Sequence, residues 1–267
     1  MKLFDALNGK LGSLVSIVGL CVVLSLSAAG DASARTLAEV KSLGAISMCA
    51  NGDALPYSSK DPERPGYQVE LARALAAGLD VSLNIEWIVP RRRANVVNCD
   101  LVLDSVNDPA IYDGRLLLSH PYQKSGLALG LRSDAEPISD FKELKKGQKI
   151  GVMVGSIAAM VLGKAGKSFS PYAFQSAMLE DLQKGEIYGT AISSATMSYQ
   201  IFQHPDSGLR LVNAFDSEPM LAWEVSVGLR KSDQALVGAI NEVLDQLLAD
   251  GTVTQIYAKY GVEHRKP

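Results

Sequence analysis

Two apolar runs that contain glycine constrain the fold of this chain more than any other feature. They are GLALGLR at Gly126–Arg132 and AWEVSVGLR at Ala222–Arg230. The first is too rich in glycine and too short for a helix, and the second repeats its character, so both are predicted to be extended. A complete alternation of strand-like and helix-like segments lies between them. We therefore expect a chain that leaves a first lobe along one run and returns to it along the other.

The segments before the first run predict a parallel α/β lobe. Alternation of apolar and polar residues indicates a half-exposed edge strand, whereas a continuous apolar run indicates a strand covered on both faces. The predicted order is helix Thr36–Leu43, strand Ala45–Ala50, helix Tyr67–Leu79, edge strand Val81–Trp87, a short helical link and central strand Leu101–Leu103. This order is typical of a right-handed parallel lobe.

The segments between the two runs predict a second α/β series. They are a helical pattern at Ser139–Lys146, strand Lys149–Val154, helix Ser156–Lys164, strand Phe169–Phe174, helix Ser176–Gln183, strand Ile187–Ile192, helix Ala195–Gln203 and strand Leu209–Val212. A last amphipathic helix is expected from a cap at Ser232 or Asp233.

These patterns predict an α/β fold of two lobes with parallel-rich sheets joined by two crossing hinge strands. Lobe one is expected at residues 35–127 and 228–267, and lobe two at residues 128–227. A ligand would then bind between the lobes, at the carboxyl ends of the strands. The alternative is one continuous doubly wound sheet without a hinge.

The first 34 residues have the layout of a secretory signal peptide. Lys2 and Lys10 are followed by the uncharged run Leu11–Gly30 and by Ala32-Ser33-Ala34, which is typical of a cleavage site. Cleavage after Ala34 would leave a periplasmic protein. A membrane anchor is the alternative, since roughly 20 apolar residues can span a bilayer, although glycine and serine dilute this run. The net charge of −3 gives no reason to expect nucleic acid or direct membrane binding.

Cys49 and Cys99 are the two cysteines that remain after such cleavage. An exported chain with two cysteines is predicted to form one disulfide, and neighbouring parallel strands would bring the sulfurs together. Two buried thiols are the alternative. A metal site is less favoured, because no histidine lies near either cysteine in sequence.

Several short motifs resemble those of family 3 extracellular solute-binding proteins, over nearly the whole mature chain. They are Pro56-Tyr57, Gly66-Tyr67-Gln68-Val69-Glu70-Leu71-Ala72, Gly151-Val152-Met153-Val154-Gly155-Ser156, and Gly251-Thr252 with Tyr260-Gly261. The resemblance implies a non-enzymatic periplasmic receptor that binds a small molecule in a cleft and passes it to an ABC permease.

The same resemblance places uncharged residues where amino-acid receptors of the family hold their ligand. In the segment Cys99–Tyr122, the arginine that binds a ligand carboxylate falls on Tyr112. In the segment Gly185–Ser193, the aspartate that binds an ammonium group falls on Ser193. Each charge-assisted contact contributes roughly 1.5–3 kcal/mol, so we predict that this chain is not a general amino-acid receptor.

The remaining cleft is predicted to consist of rings and hydroxyl groups. The predicted ligand-binding residues are Tyr57, Ser105, Asn107, Tyr112, Tyr122, Gly155, Ser156 and Ser193. Such a lining suits a neutral, aromatic or otherwise non-standard solute, or a protein segment. Free amides at the start of the helix after Gly155 could also hold an anion; alternatively, Ser156 is simply the N-cap.

A narrower resemblance concerns binding proteins that accompany quinoprotein methanol or alcohol dehydrogenases. It rests on Cys49-Ala50-Asn51, Trp87 with Pro90-Arg91-Arg92, and Cys99-Asp100-Leu101-Val102. It implies an accessory role beside a periplasmic dehydrogenase in methanol metabolism. Two departures are a shorter link before Cys99 and Asp104-Ser105-Val106 in place of Gly-Val-Pro.

Metal and enzyme chemistry are the remaining alternatives. The acidic stretch Asp100–Asp113 offers hard oxygen ligands for Ca²⁺ or a lanthanide, but its spacing is not that of an EF-hand. We expect these carboxylates at strand ends and caps, and no metal or cofactor. No histidine lies in a catalytic motif. A dehydratase that uses Glu224 or Glu218 as its cleft carboxylate is the remaining enzymatic alternative.

Overall fold

The computed structural model describes residues 35–88, 99–230 and 232–267. The predicted signal peptide with its cleavage site, the helical link before Cys99 and the arginines at 91–93 lie outside the described residues. None of the described helices is both long enough and apolar enough to cross a membrane.

Within these ranges the chain forms a mixed α/β fold. Its strands are β1 (Ala45–Asn51), β2 (Asp53–Ala54), β3 (Ser58–Ser59), β4 (Ser82–Ile88), β5 (Leu101–Val106), β6 (Leu116–Arg132), β7 (Ile150–Met153), β8 (Phe169–Tyr172), β9 (Gly189–Ser193), β10 (Leu209–Val212) and β11 (Ala222–Arg230). Its α-helices are α1 (Leu37–Leu43), α2 (Tyr67–Gly78), α3 (Ile157–Lys164), α4 (Gln175–Lys184), α5 (Ser194–Gln203), α6 (Gln234–Ala249) and α7 (Thr252–Ala258).

The strands follow the order β4-β1-β5-β11-β6-β9-β7-β8, with β10 also paired to β6. At one end β1 runs parallel to β4 and β5, and at the other end β7 runs parallel to β8 and β9. The antiparallel pair of β6 and β11 joins these two parts. The two predicted crossing strands are therefore confirmed.

Hydrogen bonding is continuous through β6, but the apolar core is divided. One cluster of buried residues packs around α2, α6, α7 and the strands β1 and β5. Two others lie on the β7 and β9 side and include Ile150 and Met178. The structure therefore has two lobes that share strands rather than one continuous doubly wound core. The predicted boundaries between the lobes stay a prediction.

Two predicted segments differ from the structure. Strand β6 begins at Leu116 rather than at Gly126. The sequence pattern does not indicate this earlier start, because polar residues and Pro121 interrupt the apolar run. Pro121 lies opposite Ser226, beside shifts in the register of β6 and β11. The helical pattern at Ser139–Lys146 forms only a 3₁₀ turn, Phe141–Glu143. Its buried side chains recur every three residues, which is the period of a 3₁₀ helix.

A disulfide joins Cys49 of β1 to Cys99 just before β5, with the Cα atoms 5.5 Å apart. Beside it, Asp100 accepts hydrogen bonds from the backbone nitrogen and hydroxyl of Ser47, at 2.7 and 2.8 Å. The guanidinium of Arg35 lies 3.2 Å from the same carboxylate. These contacts join two strands that share only the register pair of Met48 with Leu101.

Replacing both Cys49 and Cys99 with alanine should lower the free energy of unfolding. The two positions are separated by 50 residues, and closing a loop of that size is worth about 4 kcal/mol in the chain-entropy account. Urea denaturation of the oxidised protein and of the double variant measures the difference. As a control, a reductant should lower the urea midpoint of the wild-type protein and leave that of the double variant unchanged. Equal urea midpoints for the oxidised wild type and the double variant would contradict the prediction.

Candidate functional site

A cavity of about 250 Å³ lies where the crossing strands pass β5. Side chains two positions apart on a strand point to the same face, and each of the three strands contributes such a series to the cavity. They are Asp104 and Val106 on β5, Gln123, Ser125 and Leu127 on β6, and Trp223 and Val225 on β11. The hinge strands therefore form much of the cavity wall.

Three tyrosines form an aromatic side of the cavity. Tyr67 at the start of α2 and Tyr257 on α7 are stacked, with ring centroids 4.4 Å apart. The ring of Tyr57 lies 5.3 Å from that of Tyr67, in a tilted arrangement. All three line the cavity. This cluster suits a ligand that offers an apolar or cationic surface to the rings.

Among the described residues that line the cavity, Asp104 is the one with a carboxyl group. It accepts hydrogen bonds from the hydroxyl of Tyr67 at 3.2 Å, from that of Tyr122 at 3.3 Å, and from the amide of Gln68. Burial raises the pKa of Asp104, and the three hydrogen bonds oppose that rise only in part. No ion pair formed among the described residues includes it.

The tyrosines around Asp104 have raised pKa values. For Tyr57, Tyr67 and Tyr122 the largest cause is burial, and the charge of Asp104 is the next. These hydroxyls therefore stay neutral at ordinary pH, and the electrostatic potential in the cavity is negative when Asp104 is ionised.

Two predicted site residues, Tyr57 and Ser193, meet at the cavity. The hydroxyl of Tyr57 forms a hydrogen bond with that of Ser193 at the end of β9, and lies 3.5 Å from the hydroxyl of Thr196 on α5. Both Tyr57 and Ser193 line the cavity. This contact links the segment after β2 to the start of α5.

The other predicted residues of the first lobe do not line the cavity. Ser105 lies on the opposite face of β5 from Asp104, and its hydroxyl donates to the carbonyl of Val102 at 2.9 Å. Asn107 donates to Glu224 beyond the strand end, at 3.1 Å. Tyr112 ends a 3₁₀ turn away from the cavity. Tyr122 is fully buried and reaches the cavity through its bond to Asp104.

Gly155 and Ser156 also lie apart from the cavity. The hydroxyl of Ser156 accepts a hydrogen bond from the backbone nitrogen of Ala159 at 3.3 Å, which makes it the N-cap of α3. The structure therefore agrees with the alternative that Ser156 is the N-cap of this helix. An anion at this helix start stays a prediction.

Sequence reasoning missed several residues that line the cavity. The sequence predicts Asp104 only as a strand-end carboxylate and gives no site role to the other four; all five of Asp104, Trp223, Tyr67, Gln123 and Tyr257 line the cavity. The sequence signal that could have identified the strand residues is their spacing, since every second side chain along a crossing strand points to the same face. The described residues contain no cluster of His, Cys, Asp or Glu that could hold a metal ion. Neither Glu218 nor Glu224 lines the cavity.

Comparison with known proteins gives consistent matches. The sequence model of bacterial extracellular solute-binding proteins, family 3, matches residues 46–263. A probable histidine-binding protein of Neisseria gonorrhoeae is 23% identical over 250 residues, which cover 90% of this chain and 92% of that protein. The L-cystine-binding protein TcyJ of Escherichia coli strain K12 is 23% identical, with 93% and 94% covered.

The fold also matches solved structures. The L-cystine solute receptor of Neisseria gonorrhoeae, in its unliganded open conformation, superposes with a TM-score of 0.70 at 18% identity, covering 86% of this chain and 99% of that one. This match supports the two-lobed fold. The names of the relatives given above contain no quinoprotein dehydrogenase, so the narrower resemblance stays a prediction.

Replacing Asp104 with asparagine should stabilise the protein near neutral pH. A folded pKa raised above 3.8 means that Asp104 contributes stability at low pH that is lost as pH rises through the folded pKa. Each unit of that rise corresponds to about 1.4 kcal/mol, and asparagine tolerates the left-handed backbone of this position, φ 56°. The advantage of the variant over wild type should therefore grow as pH rises from about 4 through the raised pKa of folded Asp104.

Urea denaturation at several pH values measures this difference. Asp113→Asn is the matched control, since Asp113 also has a positive φ, 49°, but is exposed and lies outside the cavity. Curves for Asp104→Asn and wild type that run parallel over the whole pH range would refute the prediction.

Proposed function

Since the chain belongs to the bacterial extracellular solute-binding proteins, family 3, we propose that it is a non-enzymatic periplasmic receptor for a small solute that is not an α-amino acid zwitterion. The solute occupies the cavity between β5, β6 and β11 and is passed to the permease of an ABC transporter. Relatives with binding-protein names support the solute-binding role. The further restriction on the solute rests on the cavity itself.

The charge of the cavity lining carries this proposal. Among the described residues, neither arginine nor lysine lines the cavity, and Asp104 does. Within the described part of the chain, a ligand carboxylate would find no cationic partner in the cavity and would lie near the carboxyl group of Asp104. By the resemblance to amino-acid receptors, the two positions that would hold a zwitterion carry Tyr112 and Ser193, which are uncharged. Loss of both contacts removes roughly 3–6 kcal/mol, or about a hundred- to ten-thousandfold in affinity.

The size of the cavity limits the solute further. A cavity of about 150 Å³ is known to hold benzene, so one of about 250 Å³ admits roughly ten non-hydrogen atoms. In the proposed mechanism, lobe one at residues 35–127 and 228–267 and lobe two at residues 128–227 close on the solute. The contact between Tyr57 and Ser193 then covers it. An accessory role beside a quinoprotein dehydrogenase predicts instead that no small solute stabilises the protein.

Thermal unfolding with added solutes tests the receptor proposal. The proteinogenic amino acids and cystine should leave the Tm unchanged. A member of a library of small amines, alcohols and ring compounds should raise it. At a hundredfold excess over Kd, linkage gives about 2.7 kcal/mol, or about 5–10 °C for a protein of this size. Native mass spectrometry of protein isolated from its own periplasm would identify the bound solute.

Two serine variants serve as a matched pair for this test. Ser193→Ala removes a hydroxyl of the cavity wall and should reduce the Tm increase caused by the solute. Ser156→Ala removes the cap of α3 and should cost about 1 kcal/mol of stability without changing that increase. Micromolar binding of an amino acid, or failure of every solute to bind, would overturn the proposal.

A further inference from the structure

We propose that the cavity selects an organic cation, a small primary amine or methylated ammonium compound without a carboxylate, and that Asp104 is its counter-ion. This inference rests on the proposed receptor function and names its substrate class. It is carried by the surroundings of Asp104, by a comparison with Asp100, and by the aromatic side of the cavity.

The carboxylate of Asp104 is held in place by donors from different elements. Tyr67 and Gln68 of α2 donate to one oxygen, and Tyr122 of β6 donates to the other. A carboxylate has about four acceptor positions, so the oxygen that faces Tyr122 keeps one for a further donor. The side chain is thus oriented by the protein while part of its acceptor capacity stays open toward the cavity.

Asp100 and Asp104 differ in a way that indicates a ligand. Both carboxylates accept several hydrogen bonds, but Asp100 also pairs with the guanidinium of Arg35 at 3.2 Å. Asp104 has no such partner in an ion pair of the described residues. Enclosing an anion without a cation is costly. A cationic solute would supply for Asp104 what Arg35 supplies for Asp100.

The aromatic side of the cavity favours the same class of solute. Tyr57, Tyr67, Tyr257 and Trp223 line it, and aromatic rings attract ammonium groups that lose water. A neutral ring compound would fill the same space but would leave Asp104 without a counter-ion.

Pairs of probes that differ only in charge test this inference by isothermal titration calorimetry. Choline is compared with 3,3-dimethylbutan-1-ol, and benzylamine with benzyl alcohol. Each cation should bind about ten- to hundredfold more tightly than its neutral analogue. Asp104→Asn should abolish this preference, and Asp113→Asn, with the same substitution at an exposed position of positive φ, should retain it.

The pH dependence of choline binding gives a second readout on the unaltered protein. Choline keeps its charge at every pH, so a change in affinity reports on the protein. Affinity should fall as pH is lowered through the raised pKa of Asp104. Tyr57, Tyr67, Tyr122 and Tyr257 have raised pKa values and stay neutral. His264 is another group near the cavity whose charge changes in the acid range: burial lowers its pKa, and its ring lies 5.5 Å from that of Tyr257. The pH profile of Asp104→Asn, which retains His264, separates its effect from that of Asp104.

The outcomes separate this inference from the receptor proposal. Equal binding of charged and neutral probes, or of choline to wild type and Asp104→Asn, would overturn the choice of a cation and leave the receptor intact. The same holds if the thermal screen finds only neutral solutes. Failure of every probe and every solute in the screen would overturn both. If Asp104→Asn does not fold, the paired charged and neutral probes decide on the wild-type protein.

Discussion

Strand β6 is the element on which the geometry of both lobes depends. Its first part pairs with β11, and its second part pairs with β9 and β10. Close packing on the faces of this strand requires small residues: a Cβ atom at Gly126 would lie 2.4 Å from the ring of Phe215, and one at Gly130 would lie 2.6 Å from the hydroxyl of Thr190. The cavity lies where this strand passes from one lobe to the other, so its shape follows from the pairing that unites the fold.

The electrostatics of the first lobe are governed by two aspartates close together in sequence. Asp100 is neutralised within the protein by Arg35 and, beside the disulfide, joins β1 to β5. Asp104 has hydrogen-bond donors but no ion pair among the described residues, and burial raises its pKa. The ion pair of Asp100 favours the stability of the fold, whereas the carboxylate of Asp104, unpaired within the described part of the chain, reduces it. A destabilising charge kept in a cavity is typical of a binding site, because the ligand recovers the lost free energy.

Much of the fold could be predicted from the sequence, because it depends on local patterns. The apolar runs became strands, the edge strand kept its alternating exposure, and Asp233 capped α6 as expected. The site was harder, since resemblance fixes a position along the chain but not the face of a strand. Ser105 and Asp104 are neighbours, yet only Asp104 lines the cavity. Tyr67 and Tyr257 stack although they are far apart in sequence, a contact that no local pattern indicates.

In the proposed receptor, the class of ligand depends on the position of the carboxyl group in the cavity rather than on the ligands of related proteins. The resemblance to amino-acid receptors of the family implies that their arginine and aspartate, which bind the ligand, correspond to Tyr112 and Ser193. Here both residues are uncharged, Tyr112 lies outside the cavity, and the carboxyl group among the described lining residues belongs to Asp104 of β5. A zwitterion would satisfy Asp104 with its ammonium group but bring a carboxylate that lacks a partner. A monovalent cation brings no such group, so in the proposed receptor the charge balance of the cavity favours amines over amino acids.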